Sequence, residues 1–350
     1  MKKRAYTALS LFSGAGGLDI GFEQAGFDIL FANELDADAA DTWMANRPDS
    51  HAMHQGDLNS YLNELSSYRD VDAVFGGPPC QGFSVAGKMN SEDPRNKLIW
   101  SFMEVINRVQ PKVFIIENVR ALGTLSKWQT VRQKIITRAR QLGYYCDFAI
   151  YSASDYGVPQ NRERVVFFGS RDFNSQEEFF ALMATSRTRP KSLRKVLTET
   201  GGFGTDDNPQ TCTAHVSLAL KPVLRKSPYA GMLVNGAGRP INLDGVAQTL
   251  PASMGGNKTP IIDQAALENN TENWFVGYHR ALLAGKTSPQ KACIPKTIRR
   301  LTIKEAAALQ TFPPAYKFCG KKTQQYKQIG NAVASSFACA IADTIAKTSL

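Results

Sequence analysis

Short β-rich runs alternate with helical patterns from the N-terminus to Gly169, and this alternation restricts the first half of the chain to a doubly wound α/β sheet. The predicted strands are Ala8–Phe12, Ile29–Asn33, Val71–Phe75, Val113–Glu117, Ala149–Tyr151 and Val165–Gly169. Between them, apolar spacing predicts helices over Leu18–Ala25, Ala37–Asn46, Leu98–Val109 and Trp128–Leu142, the last with a basic, solvated face. In such a sheet, ligands bind in the crevice at the carboxyl ends of the strands. After about Asp172 the pattern gives way to Gly, Pro, Ser, Thr and Asn with short β-like pieces, as in Gly201-Gly202-Phe203-Gly204, which predicts a second, smaller, loop-rich domain. Helical pattern returns at Thr302–Leu309, where Thr302 and Glu305 have the spacing of a capping box, and again over 332–346. The expected division is 1–171, 172–298 and 299–350, the last a basic segment and a helix returning to the first domain.

Charge is distributed along the same division. The net charge is +10. Residues 1–171 carry 19 Lys+Arg and 19 Asp+Glu, residues 172–298 carry 14 against 10, and residues 299–331 carry 7 against 1. The excess therefore lies in the second half, as expected where a neutral catalytic part is joined to a part that meets a polyanion. No run of about eighteen apolar residues suggests a membrane span, and the stretch after Met1-Lys2-Lys3-Arg4 is too short for a signal peptide; a cytoplasmic protein is expected. The six cysteines are scattered without a CxxC pair and read as reduced thiols. His51 and His54 have no further ligand candidate nearby in sequence, so no metal is expected.

Two motifs carry chemistry. Phe12-Ser13-Gly14-Ala15-Gly16-Gly17-Leu18 follows the first strand and opens a helix, a turn whose glycines let backbone approach a nucleotide-like ligand. Glu34, at the end of the second strand, is placed to accept from ribose hydroxyls, and Asp57 from an adenine amino group. Asp19 in the first helical turn disfavours a phosphate-bearing cofactor there and suits S-adenosylmethionine, which has an amine and a sulfonium. The second motif is Gly76-Gly77-Pro78-Pro79-Cys80-Gln81-Gly82-Phe83-Ser84, a stiffened loop that leaves a cysteine at the carboxyl end of the sheet.

With these motifs, Asp93-Pro94-Arg95-Asn96, Glu117-Asn118-Val119, Gln160-Asn161-Arg162-Glu163-Arg164, Arg300–Pro313 and Gln328-Ile329-Gly330-Asn331-Ala332-Val333 follow in order. In this dense, ordered set the chain resembles the DNA (cytosine-5) methyltransferase family of the bacterial restriction-modification type. The resemblance implies a mixed sheet of the S-adenosylmethionine-dependent methyltransferase type with a smaller target-recognition domain. It implies a methyl group moved to C5 of a cytosine flipped out of duplex DNA. Cytosine C5 is a poor nucleophile, so a Cys80 thiolate adding to C6 would activate it, with Glu117 serving N3, Arg164 holding O2 and Arg162 in support. No protein base is evident for the C5 proton, and water is expected to take it. Phe12, Gly14, Gly16, Gly17 and Leu18 would line the cofactor with Glu34 and Asp57. Pro78, Leu98, Asn331 and Val333 would complete that pocket.

Gln81 and Ser84 on the loop, with Arg95, are expected DNA contacts. Residues 172–298 fall where the family keeps its target-reading region, with Arg239, Lys258 and Arg280 as candidate contacts, and Lys304 as a phosphate contact beyond it. A monomer working on double-stranded DNA beside a separate restriction endonuclease is expected. Three other readings stand beside this one: methylation of tRNA cytosine, a catalytically inactive DNA-binding homologue, and a nucleotide-dependent oxidoreductase that would leave the Pro-Pro-Cys loop unexplained.

Overall fold

The computed structural model describes residues 6–79 and 97–350. In the first half the chain runs β1 (Tyr6–Leu11), α1 (Gly17–Gln24), β2 (Phe27–Glu34), α2 (Ala37–Ala45), β3 (Met53–Gln55), α3 (Leu62–Leu65), β4 (Ala73–Gly76), α4 (Lys97–Val109), β5 (Val113–Val119), α5 (Arg120–Thr124), α6 (Gln129–Gln141), β6 (Tyr145–Ser152), β7 (Gln160–Asn161), β8 (Glu163–Ser170) and α7 (Phe173–Thr185). It continues through α8 (Leu193–Glu199), β9 (Leu218–Val223), β10 (Met232–Val234), β11 (Ala247–Gln248), β12 (Ile261–Asp263), α9 (Gln264–Glu268), α10 (Trp274–Leu283), β13 (Ile298–Arg300), α11 (Ile303–Leu309), α12 (Lys322–Asn331) and α13 (Ser335–Thr348). Two compact units result. One contains the described residues of Met1–Gly157 with Arg162–Arg189 and Ala332–Leu350; the other is Val158–Asn161 with Pro190–Asn331.

The first unit is built on a seven-stranded sheet of order β3-β2-β1-β4-β5-β8-β6. β1 to β5 are parallel, and β8 runs antiparallel to both β5 and β6. This is the doubly wound mixed sheet expected of an S-adenosylmethionine-dependent methyltransferase. The strand order reverses between β1 and β4, which opens a crevice at their carboxyl ends. Gly76 closes that junction tightly, since a Cβ there would sit 2.3 Å from the Leu11 carbonyl oxygen. The core packs Leu9, Phe31, Val74, Phe114, Ile116 and Phe167 of the sheet against Ile99, Phe102 and Ile106 of α4.

α13 returns to the first unit and lies directly on α1. Gly17 and Gly21, one helical turn apart, make this approach possible. A Cβ on Gly21 would come within 2.4 Å of Ala338 Cβ and the Cys339 amide, and one on Gly17 within 2.3 Å of the Val333 carbonyl oxygen. All the strands and helices predicted to Gly169 are present, while β3 is too short to leave a periodic signal. Beyond Asp172 the chain is loop-rich as expected, and it also forms helices that the sequence pattern did not reveal, α7, α8 and α10. Asp172, Ser192 and Asn273 cap their N-termini with side-chain acceptors, and α7 buries Phe179 and Met183, with Phe179 stacked on Phe168 at 4.0 Å.

In the second unit, β12 and β13 pair antiparallel and α10 packs on them through Phe275 and Tyr278. The predicted capping box is present: Thr302 Oγ1 accepts from the Glu305 amide, and Glu305 Oε2 accepts from the Thr302 amide. Glu305 also takes two bonds from Arg299, at 2.6 and 2.9 Å, in a buried ion pair whose guanidinium lies 4.0 Å over the Phe203 ring. Lys322–Thr348 includes an eighteen-residue window apolar enough by composition to cross a membrane, but 67% of it is buried within the protein and it is divided between two helices.

The α1–α13 contact generates a prediction. Gly21→Ala places a methyl against backbone that cannot retreat, so the variant is expected to lose about 1–3 kcal/mol of stability. The urea midpoint, compared with a surface Gly256→Ala control where nothing lies within 4 Å, measures this.

Candidate active site

The glycine-rich turn leaves β1 through residues whose backbone is left-handed. Phe12 has φ 56°, Gly14 φ 55° and Gly16 φ 81°. Gly16 begins α1 without a side-chain cap, so the first-turn amides are not covered by a capping side chain. At the end of β2, Glu34 closes over this turn. Its Oε2 accepts from the Gly14 amide and its Oε1 from the Asp36 amide, each at 2.8 Å. Burial pushes the Glu34 carboxyl above the usual carboxylate range, against the pull of the Asp36 and Gly14 amides. Each oxygen keeps lone-pair capacity for a further donor.

The neighbouring turn is aligned by Asn33, whose amide donates to the His54 and Gly56 carbonyls at 2.8 and 3.1 Å. This sets Asp57, which is exposed and caps the short turn Leu58–Tyr61 by accepting from the Asn59 amide at 2.9 Å. Asn59 in turn accepts from Ser101, one helical turn beyond Leu98 on α4. Asp57 and Leu98 are therefore on neighbouring, linked elements. Sequence reading missed Asn33, and the signal was a polar residue at the buried end of a strand.

Asp19 is a correction. It is not presented at the mouth of the turn but fully buried, with Oδ1 accepting from Trp43 Nε1 at 2.8 Å, so it does not select against a phosphate.

The described residues to which the resemblance assigns chemistry lie at β4, β5 and β8. Because β8 is antiparallel to β5, with Val119 opposite Arg164 and Glu117 opposite Val166, Glu117 and Arg164 are diagonal neighbours on one face. Arg164 Nε lies 2.8 Å from Glu117 Oε1, with both side chains largely buried. The N–H is not aligned on that oxygen, so the attraction is that of two close charges. Glu117 Oε2 faces Gly77: a Cβ there would sit 3.2 Å away. Asn118, buried beside it, donates to the Pro78 carbonyl at 3.0 Å and fixes the start of the Pro-Pro-Cys loop. Asn118 was quoted in a motif and given no role; its bond to a loop far away in sequence left no local signal. Arg162 is buried just before β8, and its carbonyl accepts from Ala153.

Cys80, Gln81, Ser84 and Arg95 lie outside the described residues. Pro78 is buried, Leu18 faces the interior from α1, and Val333 meets Gly17 through its carbonyl. Asn331 ends α12 in the second unit; the Gly-Asn pair, read as a turn, is helical, and Gly330 is required where α12 meets Pro251 and Ala252 at 2.6 Å from its would-be Cβ. Lys258 is exposed. Arg239 donates to the Ala230 and Gly231 carbonyls, Arg280 pairs with Glu272 at 3.1 Å, and Lys304 is bonded to Asp207. Among the described residues no group of three His, Cys, Asp or Glu is placed to hold a metal ion.

The sequence pattern described as C-5 cytosine-specific DNA methylase matches residues 6–347. The chain belongs to that family. It is 32% identical over 350 residues to Type II methyltransferase M1.HphI of Haemophilus parahaemolyticus, covering 97% of this chain and 87% of that protein. It is 34% identical to Type II methyltransferase M.FnuDI of Fusobacterium nucleatum, covering 97% and 94%. In fold it is similar to the S. pombe Dnmt2 methyltransferase, with a TM-score of 0.65, 15% identity and 98% of each chain covered. The protein is thus a DNA (cytosine-5) methyltransferase of the type II restriction-modification kind.

Two predictions follow from this geometry. Burial raises the Asp19 carboxyl to about 6, against the smaller lowering effects of Arg47 and Trp43. The folded state therefore holds a proton that the unfolded state releases near pH 4, and stability falls as pH rises from about 4 to 6. Asp19→Asn is expected to remove this loss, so its advantage over the parent grows across that window to about 3 kcal/mol and then levels off, as read by urea titrations at successive pH values. Gly77→Ala costs little stability, because the atom it meets ends a side chain, but it displaces Glu117 Oε2. Methyl transfer is expected to fall about tenfold or more with cofactor affinity kept.

Proposed function

We propose that the protein transfers a methyl group from S-adenosylmethionine to C5 of a cytosine in a defined sequence of duplex DNA, with Cys80 as nucleophile and the cytosine flipped out of the helix. The observation that carries this reading is the Glu117 carboxylate, held by Arg164 at the end of β5, with its second oxygen against Gly77 where the Pro-Pro-Cys loop begins.

The turn fits the cofactor. Left-handed backbone at Phe12, Gly14 and Gly16 lets a ligand approach, and the spare lone pairs of Glu34 and the exposed Asp57 offer acceptors for ribose hydroxyls and an amino group. When bound, S-adenosylmethionine supplies an electrophilic methyl group. The chain's own residues prepare the base. The Cys80 thiolate adds to C6, and Glu117, having first taken up a proton from solvent, donates it to N3, which receives the electron density. Arg164, which braces Glu117, is the group to hold O2, with Arg162 buried in support. After transfer the C5 proton leaves to water and Cys80 is eliminated. Asn118 holds the loop from the Pro78 carbonyl, so it positions the nucleophile without touching substrate.

The second unit is the target-reading part, and Gln81 and Ser84 of the loop after Cys80, with Arg95, meet DNA. The enzyme works as a cytoplasmic monomer beside a separate restriction endonuclease. DNA is favoured over tRNA because the pattern described as C-5 cytosine-specific DNA methylase matches residues 6–347 and relatives named as type II methyltransferases match 97% of the chain at 32–34% identity.

Transfer of tritiated methyl from S-adenosylmethionine to duplex DNA and to tRNA tests the substrate, with incorporation expected in DNA; labelling of tRNA alone would overturn the reading. Cys80→Ala is expected to abolish transfer while keeping S-adenosylhomocysteine binding. Glu117→Gln is expected to slow transfer by about 100-fold or more, within the usual range for a lost proton donor. A Glu117→Gln enzyme within a few-fold of the parent would remove Glu117 from the mechanism.

A further inference from the structure

Between Asn208 and Ile262 the sequence holds five cations, Lys221, Arg225, Lys226, Arg239 and Lys258, against one acid, Asp244. That acid is engaged by Arg194, with Nε at 2.8 Å from Oδ1. Three of the five cations fall on one small element. β9 and β10 form a two-stranded antiparallel ribbon joined by residues 224–231; Lys221 lies on β9, and Arg225 and Lys226 lie in the connection. All three are exposed, and among the described residues none of them takes part in an ion pair, unlike Arg280 and Lys304.

The same ribbon exposes apolar side chains that a free surface does not favour. Leu220 is 72% exposed, and Val223 and Met232, directly opposite each other next to the connection, are 41% and 45% exposed. Its base is nevertheless rigid. Leu233 and Val234 of β10 are buried in the unit's core, and Leu224 packs against it. The connection is clamped at both ends: His279 Nε2 donates to the Arg225 carbonyl at 2.9 Å, and Arg239 Nη1 donates to the Ala230 and Gly231 carbonyls at 3.2 and 2.5 Å. A carbonyl can only accept, so His279 carries its proton on Nε2.

We propose that the β9–β10 ribbon is the element of the second unit that enters the major groove of duplex DNA. In this assignment Lys221, Arg225 and Lys226 meet phosphates and base acceptors, and the Val223–Met232 pair lies along the base edges. The proposal rests on the reading of the second unit as the target-reading part. A two-stranded ribbon matches a groove about 12 Å wide, cations there meet guanine acceptors or phosphate, and apolar side chains meet the thymine methyl. The clamps make the ribbon preorganised, so little ordering is needed on binding. Arg239, a candidate DNA contact from sequence, becomes a positioning residue that sets the shape of the reading turn.

The test compares the full-length enzyme with Arg225→Ala/Lys226→Ala and with Met232→Ala. DNA affinity is measured as a function of salt, S-adenosylhomocysteine affinity alongside it, and methylation is mapped by bisulfite sequencing on a random-sequence duplex pool. The double variant is expected to bind DNA at least about tenfold more weakly, with a salt slope reduced by about 1–2, and S-adenosylhomocysteine as tightly as the parent. Met232→Ala is expected to change the methylated sequence set. Lys221→Glu, on the exposed face of β9, gives a second variant expected to weaken DNA binding in the same direction. Unchanged DNA affinity and an unchanged sequence set in all three would overturn the proposal. If the parent enzyme methylates the pool while the variants match it, the ribbon is excluded and the function stands; if the parent methylates no duplex, the function itself fails.

Discussion

β8 runs antiparallel between β5 and β6, and the Glu117–Arg164 pair depends on that placement. A parallel strand there would end, not begin, beside Val119. Because the direction is reversed, the chain arriving at β8 brings Arg164 opposite Val119 and diagonal to Glu117. Two residues 47 positions apart in sequence become a close ion pair at the rim of the sheet, largely shielded from water. In such a setting their attraction is weakly screened, and removing either partner leaves a buried charge uncompensated. The pair thus braces the carboxylate whose other oxygen faces the Pro-Pro-Cys loop.

Glycine serves two separate purposes within ten residues. Gly14 and Gly16 are needed because the turn is left-handed there, which is the role that a glycine-rich motif advertises. Gly17 and Gly21 are needed because α13 and the residues leading into it occupy the space of their side chains. The Val333 carbonyl and the Ala338–Cys339 backbone lie where a methyl would be. Gly17 and Val333, both expected from the motifs to be cofactor residues, therefore meet each other, and their contact holds the C-terminal helix against the glycine-rich turn. A motif records that glycine is required at a position without recording which neighbour requires it.

The second unit places its buried charges in structure and leaves others exposed. Arg299 is paired with Glu305, which also caps α11, and Arg300 is enclosed by the Thr259, Asn257, Ala214 and His215 carbonyls. Burial lowers the Arg300 basicity from its ordinary value. Both arginines therefore organise loops, although sequence counts them with the basic segment. Gln160 does the same with neutral groups, accepting from the Leu250 amide and donating to Gln310, which donates to the Ile329 carbonyl. Block residues that look chemical in sequence are here the ties between distant loops.

Local sequence was sufficient for the strands and helices to Gly169, the capping box at Thr302, the left-handed glycine turn after β1, and the family. Each of these rests on spacing, backbone conformational limits or short-range hydrogen bonds, all of which operate within a few residues. The helices beyond Asp172 were less legible because their caps lie among Gly, Ser and Asn that serve equally well in turns. The partners came from tertiary structure: Arg164 on Glu117, Asn118 on Pro78, Trp43 on Asp19, Val333 on Gly17, and the clamps of His279 and Arg239 on the β9–β10 turn. A side chain's role is set by which groups share its burial and charge, and strand order, strand direction and helix packing bring those groups together from positions tens to hundreds of residues apart.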